Sequence, residues 1–156
     1  MNMPRTSRNC LVTVLISLLI LTLTSSPAFS AEYFSIKNDG VNIRSGPSTT
    51  AEILWELFKD FPVKVLQKKG DWSQIQDFEG DTGWIYSPLL SSEKTAIVNT
   101  QKAYMRIGPG ENYEPLATVK YGVVFTMIGK EGEWTQLLHN DGTSGWMHES
   151  LLWPKY

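Results

Sequence analysis

Cysteine and histidine are both scarce in this sequence. Its 156 residues include one cysteine, Cys10, and two histidines, His139 and His148, which stand nine positions apart. A cysteine hydrolase needs a Cys–His pair. A structural zinc site usually has four Cys or His ligands, and the spacing of these two histidines matches no zinc motif. No other nucleophile–base set is visible in the sequence. We therefore expect no enzymatic activity, no metal and no cofactor.

Basic residues are also in short supply. Lysine and arginine together number 14, against 16 aspartates and glutamates. Nucleic acids, heparin-like polymers and anionic membrane surfaces are all bound through basic faces. The charge balance therefore argues against these partners, and we expect no nucleic-acid binding.

The first thirty residues have the pattern of a secretory signal peptide. Arg5 and Arg8 precede an apolar run over residues 11–23, and Ala28 and Ser30 suit the small-residue positions of a cleavage site before Ala31. The alternative is a membrane anchor, but the run is shorter than the ~20 apolar residues that a spanning helix needs.

Cleavage after residue 30 would change both the composition and the location of the chain. It removes Cys10 together with Arg5 and Arg8, which leaves 12 basic against 16 acidic residues, a net charge of −4. We expect an exported protein, in the bacterial periplasm or outside the cell, with no integral membrane segment and no disulfide after cleavage.

An internal repeat organises the remainder of the chain. Four segments of the first half recur in order, without a gap, at one offset of 62 positions: residues 44–47 at 106–109, 70–72 at 132–134, 83–85 at 145–147, and 89–90 at 151–152. Such self-similarity indicates a duplication. We predict two domains, residues 31–92 and 95–156, and the short polar join between them predicts that they are in contact.

Within each copy the pattern is that of short strands. Residues 62–65 alternate apolar and polar side chains, and residues 72–76 form a second strand-like stretch. Turn signals separate the strands, including residues 77–81, whose carboxylates lack the glycine and glutamate positions of a calcium loop and which we interpret as a hairpin turn. The prediction is an all-β chain of two tandem small barrels.

These motifs resemble those of bacterial SH3-like domains. Residues 41–48, reading VNIRSGPS, are similar to the family's opening motif, and Gly70-Asp71-Trp72 and Gly83-Trp84-Ile85 complete the pattern. The chain is closer still to the tandem SH3-like proteins exported by proteobacteria. The resemblance covers residues 33–153 and implies SH3-type barrels of five or six strands. It also implies an association with cell wall or peptidoglycan peptides, although fold alone does not define function.

Side-chain parity singles out the candidate binding residues. Trp72 lies three positions before Ile75, so if Ile75 points into the barrel then Trp72 points out; Trp134 and Leu137 repeat this relation. An outward tryptophan either packs on its own protein or contacts a ligand, and both interpretations are open. The position resembles the tryptophan of the eukaryotic SH3 peptide groove. The second aromatic wall of that groove is replaced by leucine, so polyproline recognition does not carry over.

Three further aromatic residues occur in one copy only. Trp55 has Ala117 as its counterpart, and residues present in a single copy are not required by the barrel itself. Tyr86, opposite His148, and Tyr113, opposite Ala51, belong to the same class. The predicted ligand-binding residues are Trp55, Trp72, Tyr86, Tyr113 and Trp134.

Two functions suit these features. The first is a non-catalytic envelope module that binds peptidoglycan or its peptide fragments. The alternative is an adaptor in which the same aromatic residues dock an envelope protein. The arginines of the repeated Arg-x-Gly-Pro motif admit two roles, as clamps for a ligand carboxylate or as structural parts of a turn. A small hydrolase is disfavoured by the missing catalytic set.

Overall fold

The computed structural model of the protein describes residues 32–156. The predicted signal peptide, residues 1–30, lies outside the described residues. Between residues 32 and 156 there is no helix that is long and apolar enough to cross a membrane. The described part of the chain is all-β apart from two single-turn 3-10 helices.

Two antiparallel sheets of seven strands each account for the fold, and they confirm the predicted pair of tandem barrels. Barrel 1 comprises β1 (Glu32–Ile36), β2 (Val41–Arg44), β3 (Ile53–Leu57), β4 (Pro62–Lys69), β5 (Trp72–Gln76), β6 (Thr82–Tyr86), the 3-10 turn Ser87–Leu89 and β7 (Leu90–Ser91). Barrel 2 comprises β8 (Thr95–Val98), β9 (Lys102–Arg106), β10 (Pro115–Lys120), β11 (Val124–Glu131), β12 (Trp134–Leu138), β13 (Ser144–His148), the 3-10 turn Glu149–Leu151 and β14 (Leu152–Trp153).

The two sheets have the same strand order. It runs β3-β2-β6-β5-β4-β1-β7 in barrel 1 and β10-β9-β13-β12-β11-β8-β14 in barrel 2. The resemblance implied five or six strands, and the additional strand is the two-residue segment after the 3-10 turn, which pairs with the first strand of its own barrel. The duplication seen in the sequence is therefore a duplication of topology.

Alternation along the strands explains why the sheets close around apolar cores. In β5, Ser73 and Ile75 are buried while the alternate residues Trp72, Gln74 and Gln76 are half-buried, because neighbouring side chains point to opposite faces. The core of barrel 1 is built mostly from β-branched side chains: Ile36, Val41, Ile43, Val63, Val65, Ile75 and Ile85. Such side chains suit a pleated surface that is buried on one face.

Strand β8 of barrel 2 is an exception to this alternation, since all four of its residues are buried. Ala96 and Val98 lie in the core of barrel 2, whereas Ile97 is 1% exposed and belongs to the core cluster of barrel 1. A strand buried on both faces has packed elements on both sides. The outer face of β8 is therefore the contact between the barrels.

Aromatic side chains extend this contact. The ring of Tyr33 lies 5.5 Å from that of Trp153 and 5.9 Å from that of Tyr156, each edge to face. Tyr156 is substantially buried, which raises its pKa to about 12 because the charged phenolate is poorly solvated there. At another point of the contact, Phe78 and Tyr121 have ring centroids 5.2 Å apart. The two domains are in contact, as the short linker predicted.

Candidate functional site: a duplicated aromatic groove

The outer face of β5 and β6 carries the predicted aromatic pair of barrel 1. Trp72 and Tyr86 are directly paired across the two strands, so their side chains leave the sheet on the same face. Their ring centroids are 5.8 Å apart in an edge-to-face arrangement, and Tyr86 is 42% exposed. Ile75 is fully buried, so the parity prediction that Trp72 points away from the core is confirmed.

This pair forms one wall of a concave surface, which we call groove 1. Its volume is about 350 Å³. It is lined by Asn38, Asp39, Gly40, Val41, Asn42, Arg44, Thr49, Trp72, Tyr86 and Leu89. Aromatic faces combined with a few polar groups are typical of sites for mixed polar and apolar ligands.

Barrel 2 carries an equivalent surface, groove 2, of about 250 Å³. It is lined by Tyr104, Arg106, Glu111, Trp134, His148, Ser150 and Leu151. Trp134 pairs across the strands with His148, and their rings are 5.4 Å apart, edge to face. Six of these seven residues occupy positions 62 after a residue of groove 1. The groove is thus a property of the repeat rather than of one barrel.

The imidazole of His148 is held in one orientation within groove 2. Its Nδ1 accepts a hydrogen bond from the backbone N–H of Ser150 at 3.2 Å and lies 2.8 Å from the hydroxyl of the same residue. Its Nε2 lies 3.6 Å from a carboxylate oxygen of Glu133. Since Nδ1 accepts the backbone bond, the proton of the neutral ring is on Nε2. The exposed edge of this ring is a donor.

The arginines of the repeated motif are structural. The Nη1 of Arg44 donates to the backbone carbonyl of Ala51 at 2.8 Å, and the Nη1 of Arg106 donates to that of Tyr113 at 2.7 Å. Each bond closes the loop that forms one rim of its groove. Of the two roles left open by the sequence, the geometry favours that of a turn-stabilising residue.

The structure does not bring all five predicted residues together. Trp55 is paired with Ile43 on β2, on the inner side of the sheet, and it packs against the core of barrel 1. Its indole Nε1 is buried without a hydrogen-bond partner among the residues described. Trp55 therefore lies on the opposite face from Trp72. The three residues of the hypothesised surface, Trp55, Trp72 and Tyr86, do not form one continuous surface.

Tyr113 packs on its own loop. A Cβ placed on Gly108 would lie 2.4 Å from the Tyr113 ring, so the ring covers the backbone of that glycine. Tyr113 is 41% exposed but does not line groove 2. Its role as a ligand contact stays a prediction, as do those of the other four residues.

The carboxylate cluster at the β5–β6 turn is part of a hairpin, as predicted. Asp77 Oδ1 accepts the backbone N–H groups of Glu79 and Asp81 at 3.0 and 2.9 Å. Burial raises the pKa of Asp77, although these two bonds act in the opposite direction. Glu79 accepts the Tyr121 hydroxyl at 2.9 Å. The ligand atoms of the three acids lie within 4.8 Å of one another, but two of the three are committed to structural hydrogen bonds.

Several groove residues were not singled out by the sequence argument. Asn42 and Thr49, with their counterparts in barrel 2, come from a strand and a loop that flank the aromatic pair. Leu89, in contrast, is expected at the groove from the resemblance, as the leucine that replaces the second aromatic wall. Strand parity could have placed Asn42 outside, since it alternates with the buried Val41 and Ile43. The loop residues needed the tertiary structure, because a loop has no fixed side-chain period.

Two SH3-type barrels with equivalent grooves define the class to which this protein belongs. The family described as "Bacterial SH3 domain" matches the chain twice, over residues 37–92 and 99–154. The chain therefore belongs to the bacterial SH3 domain family, which confirms the resemblance drawn from its motifs.

A longer relative shares this region. A Bacillus subtilis (strain 168) protein named "Putative N-acetylmuramoyl-L-alanine amidase YrvJ" is 31% identical over 155 residues. The match covers 89% of this chain but 30% of that relative, so the chain spans less than a third of the relative's length.

Two solved structures are also similar. An NlpC/P60 family protein from Bacillus cereus ATCC 10987 is 15% identical, with a TM-score of 0.37 over 78% of this chain and 55% of that one. NlpC1 from Trichomonas vaginalis is 16% identical, with a TM-score of 0.35 over 84% and 48% of the two chains. With TM-scores below 0.5, these similarities support no conclusion about this chain.

Proposed function

We propose that this protein is a non-catalytic binding module of the bacterial cell envelope whose duplicated groove recognises peptidoglycan, through its peptide part. The observation that supports this most is the equivalence of the two grooves. An aromatic pair is exposed twice, on the same strands, beside polar residues contributed by the same loops. A groove repeated along one chain suits a ligand that is itself repetitive.

Family membership and the named relative support the same conclusion. The chain belongs to the bacterial SH3 domain family, and its Bacillus subtilis relative is named "Putative N-acetylmuramoyl-L-alanine amidase YrvJ", a name that refers to a part of peptidoglycan. This chain matches only 30% of that relative. We infer that it shares the relative's wall-binding part, and that it acts in the periplasm or outside the cell.

Cosedimentation with purified sacculi tests the proposal directly. The protein is expressed as the full chain and purified after export, beside Trp72→Ala, Trp134→Ala and the double variant. Truncation of an interface tryptophan typically costs about 2 kcal/mol, equivalent to about 30-fold in Kd. We expect each single variant to bind more weakly and the double variant to remain in the supernatant.

Trp55→Ala is the matched control, because this tryptophan faces the core rather than a groove. Circular dichroism establishes that every variant is folded. The proposal is wrong if the folded wild type stays in the supernatant, or if the double variant sediments like the wild type.

The alternative of a protein adaptor is supported by a different surface. Each sheet ends in an edge strand, β3 or β10, that exposes large apolar side chains, among them Ile53 at 50%, Leu54 at 44% and Leu116 at 48%. An exposed apolar edge is suited to pairing with a strand of another protein. If the purified protein does not bind sacculi, and if position 54 can be crosslinked to another protein in the periplasm, this second function would be favoured.

A further inference from the structure

A cleft between the two barrels is separate from the aromatic pairs. Two adjoining cavities, of about 440 and 240 Å³, share Asp60, Val124, His139 and Asn140 as lining residues. The larger one is also lined by Phe58 and Lys59 of the β3–β4 turn and by Val123. Domain interfaces are a preferred location of ligand sites. We call this surface the inter-barrel cleft.

Asp60 has a backbone conformation that is unusual for a residue with a side chain. Asp60 has a φ of +67°, in the left-handed region that glycine adopts without strain and that Asn and Asp adopt more readily than other residues, but at a cost in backbone energy. Its counterpart 62 positions later is Gly122, which adopts a φ of +81°. The same turn of the same fold therefore exists with glycine, and barrel 1 keeps an aspartate against the local backbone preference. Backbone strain of this kind is often associated with function.

The side chain of Asp60 has no hydrogen-bond or ion-pair partner among residues 32–156. It is half-buried and lines both cavities of the cleft. The neighbouring Asp39, in contrast, accepts the backbone N–H of Lys59 at 2.9 Å. A half-buried carboxylate is stabilised by a donor, and none is supplied by the described protein.

The cleft also contains further acceptor groups beside Asp60. His139 Nδ1 lies 3.1 Å from the Asp141 carboxylate, and the pKa of Asp141 is lowered, mainly by the backbone N–H of Thr143. With the ring proton on Nδ1, the Nε2 of neutral His139 is an acceptor. Lys59 also lines the larger cavity, and its backbone N–H donates to Asp39. The carboxylates of Asp39 and Asp60 and the Nε2 of His139 fit a ligand group that has several N–H donors.

We propose that the inter-barrel cleft binds the free amino group of a ligand peptide, with Asp60 as its counter-ion. Asp39 lines both groove 1 and the cleft, so one extended ligand can occupy the two surfaces together. The inference rests on the proposed function, because it takes the ligand to be the peptide bound in groove 1. The contact between the barrels places the β3–β4 turn beside His139, and the proposal gives this arrangement a role in ligand binding.

The test uses a soluble disaccharide–tetrapeptide, released from sacculi by a muramidase, whose uncrosslinked stem has a free amino group. The same compound, N-acetylated at that amine, is the matched probe. Both are titrated calorimetrically into the exported protein, and we expect the acetylated probe to bind about tenfold more weakly, the loss of one charge-assisted contact.

Asp60→Gly and Asp60→Asn are expected to bind both probes with the weaker affinity of the acetylated compound. Asp60→Gly should at the same time raise Tm by about 2–6 °C, because glycine adopts the positive φ without strain. A variant that gains stability while losing affinity cannot be explained as a folding defect. Gly122→Asp is the reciprocal control: it introduces the same strain in barrel 2, so Tm should fall while the affinity for the unmodified probe is unchanged.

The inference is overturned if wild type binds the two probes equally, if it binds neither, or if Asp60→Gly keeps the affinity of the wild type. These outcomes differ from failure of the proposed function. If the Asp60 variants bind like the wild type while Trp72→Ala and Trp134→Ala lose sacculus binding, the grooves function without the cleft. If the wild type binds neither sacculi nor probe, both proposals fail together.

Discussion

The two barrels have the same strand order, and they differ mainly where their surfaces meet something else. In the grooves, Arg44 and Trp72 recur as Arg106 and Trp134, while other lining positions change, among them Tyr86 to His148. The retained residues close the rim loop and supply the aromatic wall. The repeat thus keeps the rim loop and the tryptophan of each groove and varies other residues that line it.

A second difference concerns the outer face of the first strand. In β1 that face includes Ser35, whose hydroxyl lies 3.5 Å from the carbonyl of Ser91. The equivalent residue in β8 is Ile97, which is packed in the core cluster of barrel 1. Both outer faces take part in the contact between the barrels, β1 through Tyr33 and β8 through Ile97, but only β8 contributes a side chain to the core of the other barrel.

The largest effect is expected for Ile97→Ala. Removal of a fully buried isoleucine costs about 2–5 kcal/mol, because both transfer energy and packing are lost. Since Ile97 contributes to barrel 1 from barrel 2, we expect the variant to uncouple the two. Urea unfolding followed by circular dichroism should change from one transition to two. A single transition of unchanged midpoint would contradict the assignment of Ile97 to a shared core.

The variant Trp55→Ala tests whether the inner face of barrel 1 contributes to stability without contributing to binding, in contrast to its groove. The residue is half-buried against the core and has Ala117 as its counterpart, so barrel 2 already shows that the fold tolerates alanine there. We expect a loss of about 2 kcal/mol in the free energy of unfolding, below the 3–5 kcal/mol of a fully buried tryptophan. Sacculus binding should be unchanged. A folded Trp55→Ala protein with weakened binding would restore Trp55 to the ligand surface.

His148→Tyr makes groove 2 resemble groove 1. In a Trp72→Ala background, where groove 2 acts alone, the Trp134–Tyr pair should strengthen sacculus binding about threefold, equivalent to ~0.6 kcal/mol for an aromatic pair. Loss of the Nδ1 bond to Ser150 should lower stability by about 0.5–1 kcal/mol. The binding isotherms of the single and double variants are compared. Weaker binding by the double variant would mean that the donor edge of His148, rather than its aromatic face, contacts the ligand.

The smallest effect is expected for Asp77→Asn at the β5–β6 turn, where barrel 2 has His139 in the equivalent position. Asparagine keeps the acceptor for the N–H groups of Glu79 and Asp81 and removes the charge whose burial raises the pKa of Asp77. The pKa of Asp77 is higher in the folded than in the unfolded protein, so the folded protein binds more protons at pH values between the two. The stability contribution of Asp77 is therefore present below the unfolded pKa and lost as the pH rises through the folded pKa.

Urea unfolding of wild type and Asp77→Asn at pH 3 and pH 7 measures this contribution. The difference in unfolding free energy should shift in favour of the variant at the higher pH. A shift in the opposite direction would show that the two backbone hydrogen bonds to the carboxylate outweigh its burial.

Much of the fold was predictable from local patterns. The offset of 62 positions indicated two copies, and alternation over residues such as 72–76 indicated strands with Trp72 outside and Ile75 inside. The bounds 31–92 and 95–156 stay predictions, as does the signal peptide. The structure separates Trp55 from Trp72, which one hypothesis had combined in a single surface, because parity within one strand says nothing about the face of another.

The duplication, the all-β class and the outward direction of Trp72 and Trp134 could be predicted from the chain alone, since they follow from periodicity and repetition. Three features come from the folded structure: Tyr86 faces Trp72, Ile97 enters the core of barrel 1, and Asp60 and His139 line the same inter-barrel cleft. Strand register and domain packing depend on contacts between residues far apart in sequence, and no local period encodes them.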